Sequence, residues 1–275
     1  MKTYGLLAAM TALLLWIGNI LGGYAGIALG LIIAIVMNVG SYWYSHTLTL
    51  KMFNAKEVSE QQAPKLFTIV KDVAQKAGIP MPKVYIIKSE QPNAFATGRD
   101  PEHSAVAVTH GIMDTLDDDE LKGVIAHEIS HIKHRDTLIA TITATIAGVI
   151  SFVASMAQWA AIFGGFGRDD DGGNIVELLA LAIIAPLVAT LLQLGVSRSR
   201  EYLADARGAS FVGSGEGLAR ALTKLEQSAR KRPIAGRNTA ASLFIVNPLK
   251  RGGIQNLFST HPPIEERVRR LRRAA

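Results

Sequence analysis

The 275-residue sequence contains no cysteine. Disulfide bonds, thiol nucleophiles and cysteine-ligated zinc are therefore excluded together, and the absence is consistent with a reducing compartment. The sequence also lacks aromatic residues interleaved with its basic residues, which cluster beside apolar segments and at the C-terminus. The net charge of +6 therefore favours charges that flank a membrane over binding of nucleic acid.

Formal charge is nearly absent from four apolar segments, in which Glu177 is the single exception. At about 1.5 Å per helical residue, each segment is long enough to cross or nearly cross ~30 Å of hydrocarbon. The alternative for the first segment is a cleaved signal peptide, and for the last two a buried helical pair in a soluble domain. The segments run from about Tyr4 to Leu21, Tyr24 to Tyr44, Thr137 to Phe166 and Ile175 to Val196.

Lysine and arginine flank the outer ends of both pairs of segments, whereas the turns within the pairs carry almost none. The positive-inside rule then places both termini and residues 47–136 in the cytoplasm. We expect the helix before the third segment to continue into the bilayer, with its basic residues at the level of the lipid headgroups. The flanking residues are Lys2, Lys51, Lys56, Lys133, Arg135, Arg198 and Arg200.

The polar remainder predicts helices and a few short strands. Residues 56–77 are an expected helix that ends at Gly78, and residues 83–88 and 104–111 are expected strands. The stretch between those strands is rich in turn residues and predicts a strand or a loop. After the fourth segment the helical pattern resumes, and the C-terminal helix has Ile264, Val268 and Leu271 on one face.

The pentapeptide His127-Glu128-Ile129-Ser130-His131 carries the clearest chemical signal. Residues i and i+4 lie on one face of a helix, so both imidazoles can bind one metal ion. Glu128 can hold or deprotonate a water molecule whose pKa zinc lowers to about 7. The motif therefore predicts one Zn²⁺ per chain, with His127 and His131 as ligands.

A catalytic zinc of this type needs a third protein ligand. His134 lies on the same helical face, but seven residues span ~10.5 Å along the axis, too far for one ion. The metzincin pattern fails as well, because position 137 is a threonine. The better candidate is Glu201, because the hairpin that starts at the zinc helix returns the chain there. Asp205, one turn beyond, is placed to accept a hydrogen bond from a ligand imidazole.

Four stretches together resemble the HtpX family of membrane zinc proteases, which are bacterial and archaeal relatives of the CAAX prenyl endopeptidases. They are HEISH before an apolar hairpin, REYLAD after it, NAFATG upstream and a terminal THPP. The resemblance covers nearly the whole chain. It implies His127, His131 and Glu201 as zinc ligands, Glu128 as the catalytic carboxylate, and proteolysis of membrane proteins in quality control.

Two further stretches are similar to family features. Asn93, Ala94, Phe95 and Ala96 resemble an edge strand that binds extended peptide by β-augmentation, with an ordinary turn strand as the alternative. His261 resembles a histidine near the cleft that stabilises an oxyanion or caps the zinc, with a helix-capping or surface histidine as the alternative. His46, His103 and His110 have no motif around them and are expected to be structural or solvated.

We thus expect a mainly α protein with a small β-sheet (α+β), built from about four transmembrane helices and a cytoplasmic gluzincin-type zinc protease domain. The expected location is the inner membrane of a bacterial or archaeal cell. The alternatives are an intramembrane site-two-type protease and a zinc-binding scaffold without proteolytic activity. The expected divisions are a transmembrane hairpin (1–46), a first protease part (47–136), a second membrane hairpin (137–196) and a second protease part (197–275).

The partners implied are of three kinds, and nucleic acid is not among them. The first is the lipid bilayer, and the second is the polypeptide of unfolded or membrane proteins as substrate. The third is either a second copy of the chain or other membrane quality-control proteases.

Overall fold

The computed structural model describes residues 2–136, 198–231 and 262–273, with single positions at 139, 146 and 150. The two segments predicted over 137–166 and 175–196 lie outside the described residues, apart from those single positions. His261 lies outside them as well. The chain forms two compact units, which are Met1–Asn38 with Ile139–Val196 and Val39–Leu138 with Ser197–Ala275.

The first helix, α1 (Lys2–Met52), folds back on itself. A Cβ built on Gly18 would lie 2.2 Å from the carbonyl oxygen of Gly26, although eight residues rise ~12 Å along a straight helix. The reversal occurs at Gly23, whose φ of +54° is accessible to a residue without a Cβ. Within the described residues, no helix meets the combined requirements of length, hydropathy and low charge for a membrane span.

A four-stranded mixed sheet forms the centre of the second unit. Its strands are β1 (Lys56–Glu57), β2 (Lys83–Ile87), β3 (Ala94–Gly98) and β4 (Ser104–Thr109), in the spatial order β1-β2-β4-β3. β4 pairs in parallel with β2 and antiparallel with β3. Every residue of β4 is buried, because the sheet is covered on both faces. Because β3 stands last in the strand order, it is an edge strand within the described sheet.

The two faces of the sheet pack against different parts of the chain. Val106 and Val108 of β4 join the main core, which is formed with the helices described below. The alternate residues Ala105 and Ala107 pack against Leu50 at the end of α1. Phe95 of β3 shares that second face, since its ring centroid lies 5.0 Å from that of Phe53.

Helix α2 (Pro64–Ala77) is shorter at its start than the sequence predicts. The expectation of helix from residue 56 is wrong, because Lys56–Glu57 forms β1 and helix begins only at Pro64. Proline lacks an N–H and suits the first turn of a helix, while the residue before it is kept out of the helical region. The predicted end is confirmed, since Gly78 caps the helix with φ +67°.

The second predicted strand is also shorter than expected, because it ends at Thr109. The Thr109 hydroxyl accepts a hydrogen bond from Ile112 N at 3.2 Å and so begins the short helix α3 (His110–Thr115). His110 and Gly111 therefore belong to this helix rather than to β4.

Helix α4 (Asp118–Lys133) carries the HExxH motif through the middle of the main core. It begins with a capping box between Asp117 and Glu120, and it packs against α2, β3 and β4. The expectation that this helix continues unbroken is wrong, because residues 134–135 form a turn in which Arg135 has φ +56°. Lys133, expected at lipid headgroups, donates to the carbonyl oxygen of Ala77 at 2.7 Å.

Three helices complete the described fold: α5 (198–212), α6 (Glu216–Lys231) and α7 (Ile264–Arg273). Helix α6 packs on α4, and α7 packs on α6. Helix α5 comes unusually close to α4, because a Cβ on Gly208 would lie 2.9 Å from the backbone nitrogen of His127. The missing side chain at this position sets the distance between the two helices that carry the predicted ligands.

We predict that Gly208→Ala lowers the free energy of unfolding by ~1–3 kcal/mol, because the new methyl group forces the α5 backbone away from α4. The control is Gly40→Ala, since a Cβ at Gly40 in α1 would meet no heavy atom within 4 Å. Alanine is the better helix former, so the control should be neutral or slightly stabilising. Denaturant unfolding measures both, and equal stabilities for the two variants would contradict the close approach.

Candidate metal centre

The two histidines of the motif face each other from successive turns of α4. Their Nε2 atoms are 3.2 Å apart, and the rings meet edge to face with centroids 4.7 Å apart. His127 is buried and His131 is partly buried. Because residues i and i+4 share a face of the helix, this arrangement follows directly from the spacing.

Glu201 approaches the same point from α5. One carboxylate oxygen lies 3.6 Å from His127 Nε2, and the other lies 3.6 Å from His131 Nε2. One donor atom from each of the three residues lies within 4.8 Å of the others. The structure thus brings together the three residues that the sequence predicts as ligands.

These three residues fit a metal ion. Two imidazole nitrogens and a carboxylate converge on one point with their donor atoms facing one another. Two uncharged imidazole nitrogens do not attract each other unless they share a proton or a cation, so this arrangement suits a bound metal ion. Two histidines and one glutamate are a donor set found in catalytic zinc sites, where a fourth position stays open. His127, His131 and Glu201 could therefore hold a metal ion of this kind.

Asp205 supports His127 from one turn further along α5. Its Oδ1 lies 2.9 Å from His127 Nδ1, the ring nitrogen on the side away from the converging donors. A carboxylate at that nitrogen fixes the tautomer and leaves the opposite nitrogen free to bind metal. The structure thus places the Asp205 carboxylate beside His127.

Arg267 of α7 holds Asp205, and the sequence did not identify it. Its guanidinium donates two hydrogen bonds to the carboxylate, from Nε at 2.8 Å and from Nη2 at 2.7 Å. The remaining Nη1 lies 3.4 Å from a Glu201 oxygen. Burial alone would raise the pKa of Asp205, but the adjacent Arg267 holds that pKa well below its usual range.

A signal for Arg267 was present in the sequence. The C-terminal helix has an apolar face formed by Ile264, Val268 and Leu271, and position 267 lies on the same face at i+3 and i−4 spacing. The structure buries Arg267 completely, with 0% exposure. A charged residue on the apolar face of an amphipathic helix indicates a buried partner, which here is Asp205.

Glu128 lies beside the three converging residues but is held by a different element. Its Oε2 accepts a hydrogen bond from the backbone N–H of Ala96 in β3, at 2.7 Å. The side chain is 5% exposed. Burial raises the pKa of the Glu128 carboxyl, and the neighbouring His127 and His131 offset only part of this rise. A carboxylate with a raised pKa in this position can act as a general base.

The predicted peptide-binding stretch forms the start of the edge strand. Asn93, directly before β3, exchanges hydrogen bonds with Thr109, the last residue of β4, with its N–H donating to Oγ1 and its carbonyl accepting from Thr109 N, both at 2.9 Å. In an antiparallel pair the backbone direction alternates, so Ala94 and Ala96 direct their N–H and C=O groups away from β4. The ring of Phe95 packs on Phe53, on the other face of the sheet.

The other histidines within the described residues lie outside the centre. His134 caps the end of α4, where its Nδ1 lies 2.9 Å from Ser130 O. His103 Nδ1 lies 2.7 Å from Asp100 Oδ1, and His110 is exposed. The role of His261 stays a prediction, because that residue is not described.

We predict that Arg267→Met costs ~3–5 kcal/mol of folding free energy, because it leaves the Asp205 carboxylate buried without its cation. Arg269→Met is the matched control in the same helix, since Arg269 is exposed and pairs only with Glu266 among the described contacts. Denaturant unfolding of metal-free protein measures both variants. Comparable losses for the two variants would contradict the role assigned to Arg267.

A second prediction concerns Glu128 in metal-free protein. The pKa of the Glu128 carboxyl is raised in the folded protein. As pH rises above ~4.3, this carboxyl therefore loses its proton first in the unfolded chain. The free energy of unfolding falls between that pH and the folded pKa. Glu128→Gln should therefore unfold at higher denaturant concentration than wild type at pH 7, and the difference should shrink towards pH 4. A pH-independent difference would contradict burial as its cause.

Comparison with known proteins finds relatives along nearly the whole chain. Two curated relatives, each named "Protease HtpX homolog", come from Syntrophotalea carbinolica and Pyrococcus furiosus. The first is 53% identical over 273 residues, covering 98% of this chain and 97% of the relative. The second is 52% identical over 275 residues, covering 100% of this chain and 95% of the relative.

The fold is similar to the crystal structure of S. mikatae Ste24p, with a TM-score of 0.55 and 18% sequence identity. The match covers 98% of this chain but spans 64% of the Ste24p chain, and it concerns the fold alone. The model of peptidase family M48 matches residues 60–275, a range that includes all the residues of the metal centre described above. The resemblance to HtpX proteases is therefore confirmed: the chain belongs to peptidase family M48 and is a metalloprotease.

Proposed function

We propose that this metalloprotease is a membrane-bound, zinc-dependent endopeptidase that cleaves misfolded or damaged membrane proteins. The observation that carries the proposal is the hydrogen bond between Glu128 Oε2 and Ala96 N–H. It joins a buried carboxylate next to a metal-binding set to the outward edge of a β-strand. A peptide bound along that edge would lie within reach of both the Glu128 carboxylate and the metal-binding residues.

The chemistry at Glu128 follows from its position. When bound, zinc would supply Lewis acidity, acidifying a water molecule and polarising the scissile carbonyl. Glu128 would accept the proton of the attacking water and then give it to the leaving amine. The Ala96 N–H keeps the carboxylate oriented for both transfers.

The edge strand explains how such an enzyme would bind many sequences. An extended peptide that pairs with the outward N–H and C=O of Ala94 and with the C=O of Ala96 would be held by backbone hydrogen bonds, which do not depend on side chains. Phe95 would not contact the substrate, because its ring packs on Phe53. Recognition of exposed, extended backbone is suited to damaged proteins rather than to one folded substrate.

A membrane location is supported by the four apolar segments and by the position of the basic residues around them. That pattern supports a protein of the inner membrane whose active site lies on the cytoplasmic side. The curated relatives named above include bacterial and archaeal proteins, consistent with such a cell. Unfolded or membrane-embedded polypeptides would be the substrates, and a second copy of the chain or another protease of the same membrane would be its partner.

We predict that Glu128→Gln lowers kcat/KM on an unfolded protein substrate by ~10²–10⁴-fold while one zinc per chain is retained, because the amide cannot accept the proton. Glu201→Gln should instead lose the metal. Asp72→Asn, a surface carboxylate paired with Lys76 and Lys122, is the control and should change neither property. Metal analysis and a cleavage assay separate the variants. Undiminished cleavage by purified Glu128→Gln protein would sink the proposal.

A further inference from the structure

Asp136 contacts the ring edge of His131 that points away from the converging donors. Its Oδ2 lies 3.2 Å from His131 Nδ1, while the other ring nitrogen, Nε2, faces His127 and Glu201. Asp136 is 9% exposed. The pentapeptide motif ends five residues earlier, and the sequence predicts only a membrane-flanking role for this part of the chain.

A continuous helix could not make this contact. Residues five positions apart differ by about 140° around a helix and by ~7.5 Å along it, so their side chains point to different sides. The chain leaves the helix at His134 and turns at Arg135, whose φ of +56° is left-handed. The Arg135 N–H donates to Ile132 O at 3.0 Å, which closes the turn and returns Asp136 to His131.

The left-handed conformation at Arg135 is unfavourable for a residue with a Cβ, and glycine adopts it freely. A non-glycine residue in this region persists only where the surrounding structure holds it. The contact between Asp136 and His131 is such a constraint.

Arg200 of α5 holds Asp136. Its Nη1 donates to the Asp136 carbonyl oxygen at 3.1 Å, and its Nε lies 3.8 Å from Asp136 Oδ1. Arg200 directly precedes Glu201 in the chain. The same ion pair that holds the carboxylate against His131 therefore also ties the end of α4 to the residue before the third ligand.

The two histidines are supported in the same way. His127 has Asp205 at Nδ1, and Asp205 is held by Arg267. His131 has Asp136 at Nδ1, and Asp136 is held by Arg200.

We propose that Asp136 is the positioning carboxylate of His131, held by Arg200 and delivered by the left-handed turn at Arg135. A carboxylate that accepts from Nδ1–H leaves the Nε2 lone pair directed at a metal ion. The proposal rests on the proposed role of His131 as a zinc ligand.

The test uses Asp136→Ala and Asp136→Asn in the full-length protein. Zinc affinity is measured by chelator competition, and ligand geometry by the visible absorption of the Co²⁺-substituted protein. We expect Asp136→Ala to weaken zinc binding ~10–100-fold and to alter the cobalt spectrum. Asp136→Asn should retain affinity within a few-fold, because its amide oxygen still accepts from Nδ1–H. Asp72→Ala removes a surface carboxylate and should match wild type.

Two results would overturn the proposal. One is zinc affinity and a cobalt spectrum in Asp136→Ala that match wild type. The other is an equal loss of affinity in Asp136→Ala and Asp136→Asn, which would show that the carboxylate only holds the fold through Arg200. Since neither readout uses a peptide, a protein that binds zinc but cleaves nothing would contradict the proposed function separately.

The turn is tested at Arg135 itself. Arg135→Gly should keep wild-type zinc affinity and unfold at higher denaturant concentration, because glycine adopts the left-handed conformation without cost. Arg135→Val should weaken zinc binding, since a β-branched residue strongly disfavours that conformation. Wild-type affinity in the valine variant would refute the idea that the turn delivers Asp136.

Discussion

The structure depends on the balance of charge inside the metal centre. Four carboxylates are buried there, while two arginines lie within reach of them. This leaves two negative charges, which match one divalent cation. Without metal, the raised pKa of Glu128 reduces the imbalance because a proton can occupy that carboxyl. The carboxylates belong to Glu128, Asp136, Glu201 and Asp205, and the arginines are Arg200 and Arg267.

The centre is assembled from segments that are distant in the chain. Helix α4 provides the histidines, α5 the converging glutamate, α7 the buried arginine and β3 the hydrogen bond to Glu128. Their spacing depends on close packing, above all where Gly208 of α5 meets the α4 backbone. Metal binding and folding are consequently coupled, since the donors converge only when the helices are packed.

The parts of the site that depend on local geometry could be predicted from the sequence. The facing histidines follow from i, i+4 spacing, and the end of α2 at Gly78 follows from the preference of glycine for the left-handed cap. Asp136 could not be predicted, because its contact needs a left-handed residue that arginine rarely provides. The predicted start of α2 at residue 56 was wrong, because the helix begins only at Pro64 and a proline keeps the residue before it out of the helical region. Arg267 was missed because its partner lies 62 residues away in the chain.

In the proposed mechanism, the hydrogen bond between Ala96 and Glu128 links substrate recognition to proton transfer. Backbone direction alternates along a strand, so inserting or deleting one residue in the first part of β3 would turn the Ala96 N–H towards β4. The Glu128 carboxylate would lose its anchor at the same moment as the outward edge lost its register. Length changes in this strand would then be selected against even where side-chain changes are tolerated, so the specificity of such an enzyme would evolve by substitution rather than by insertion.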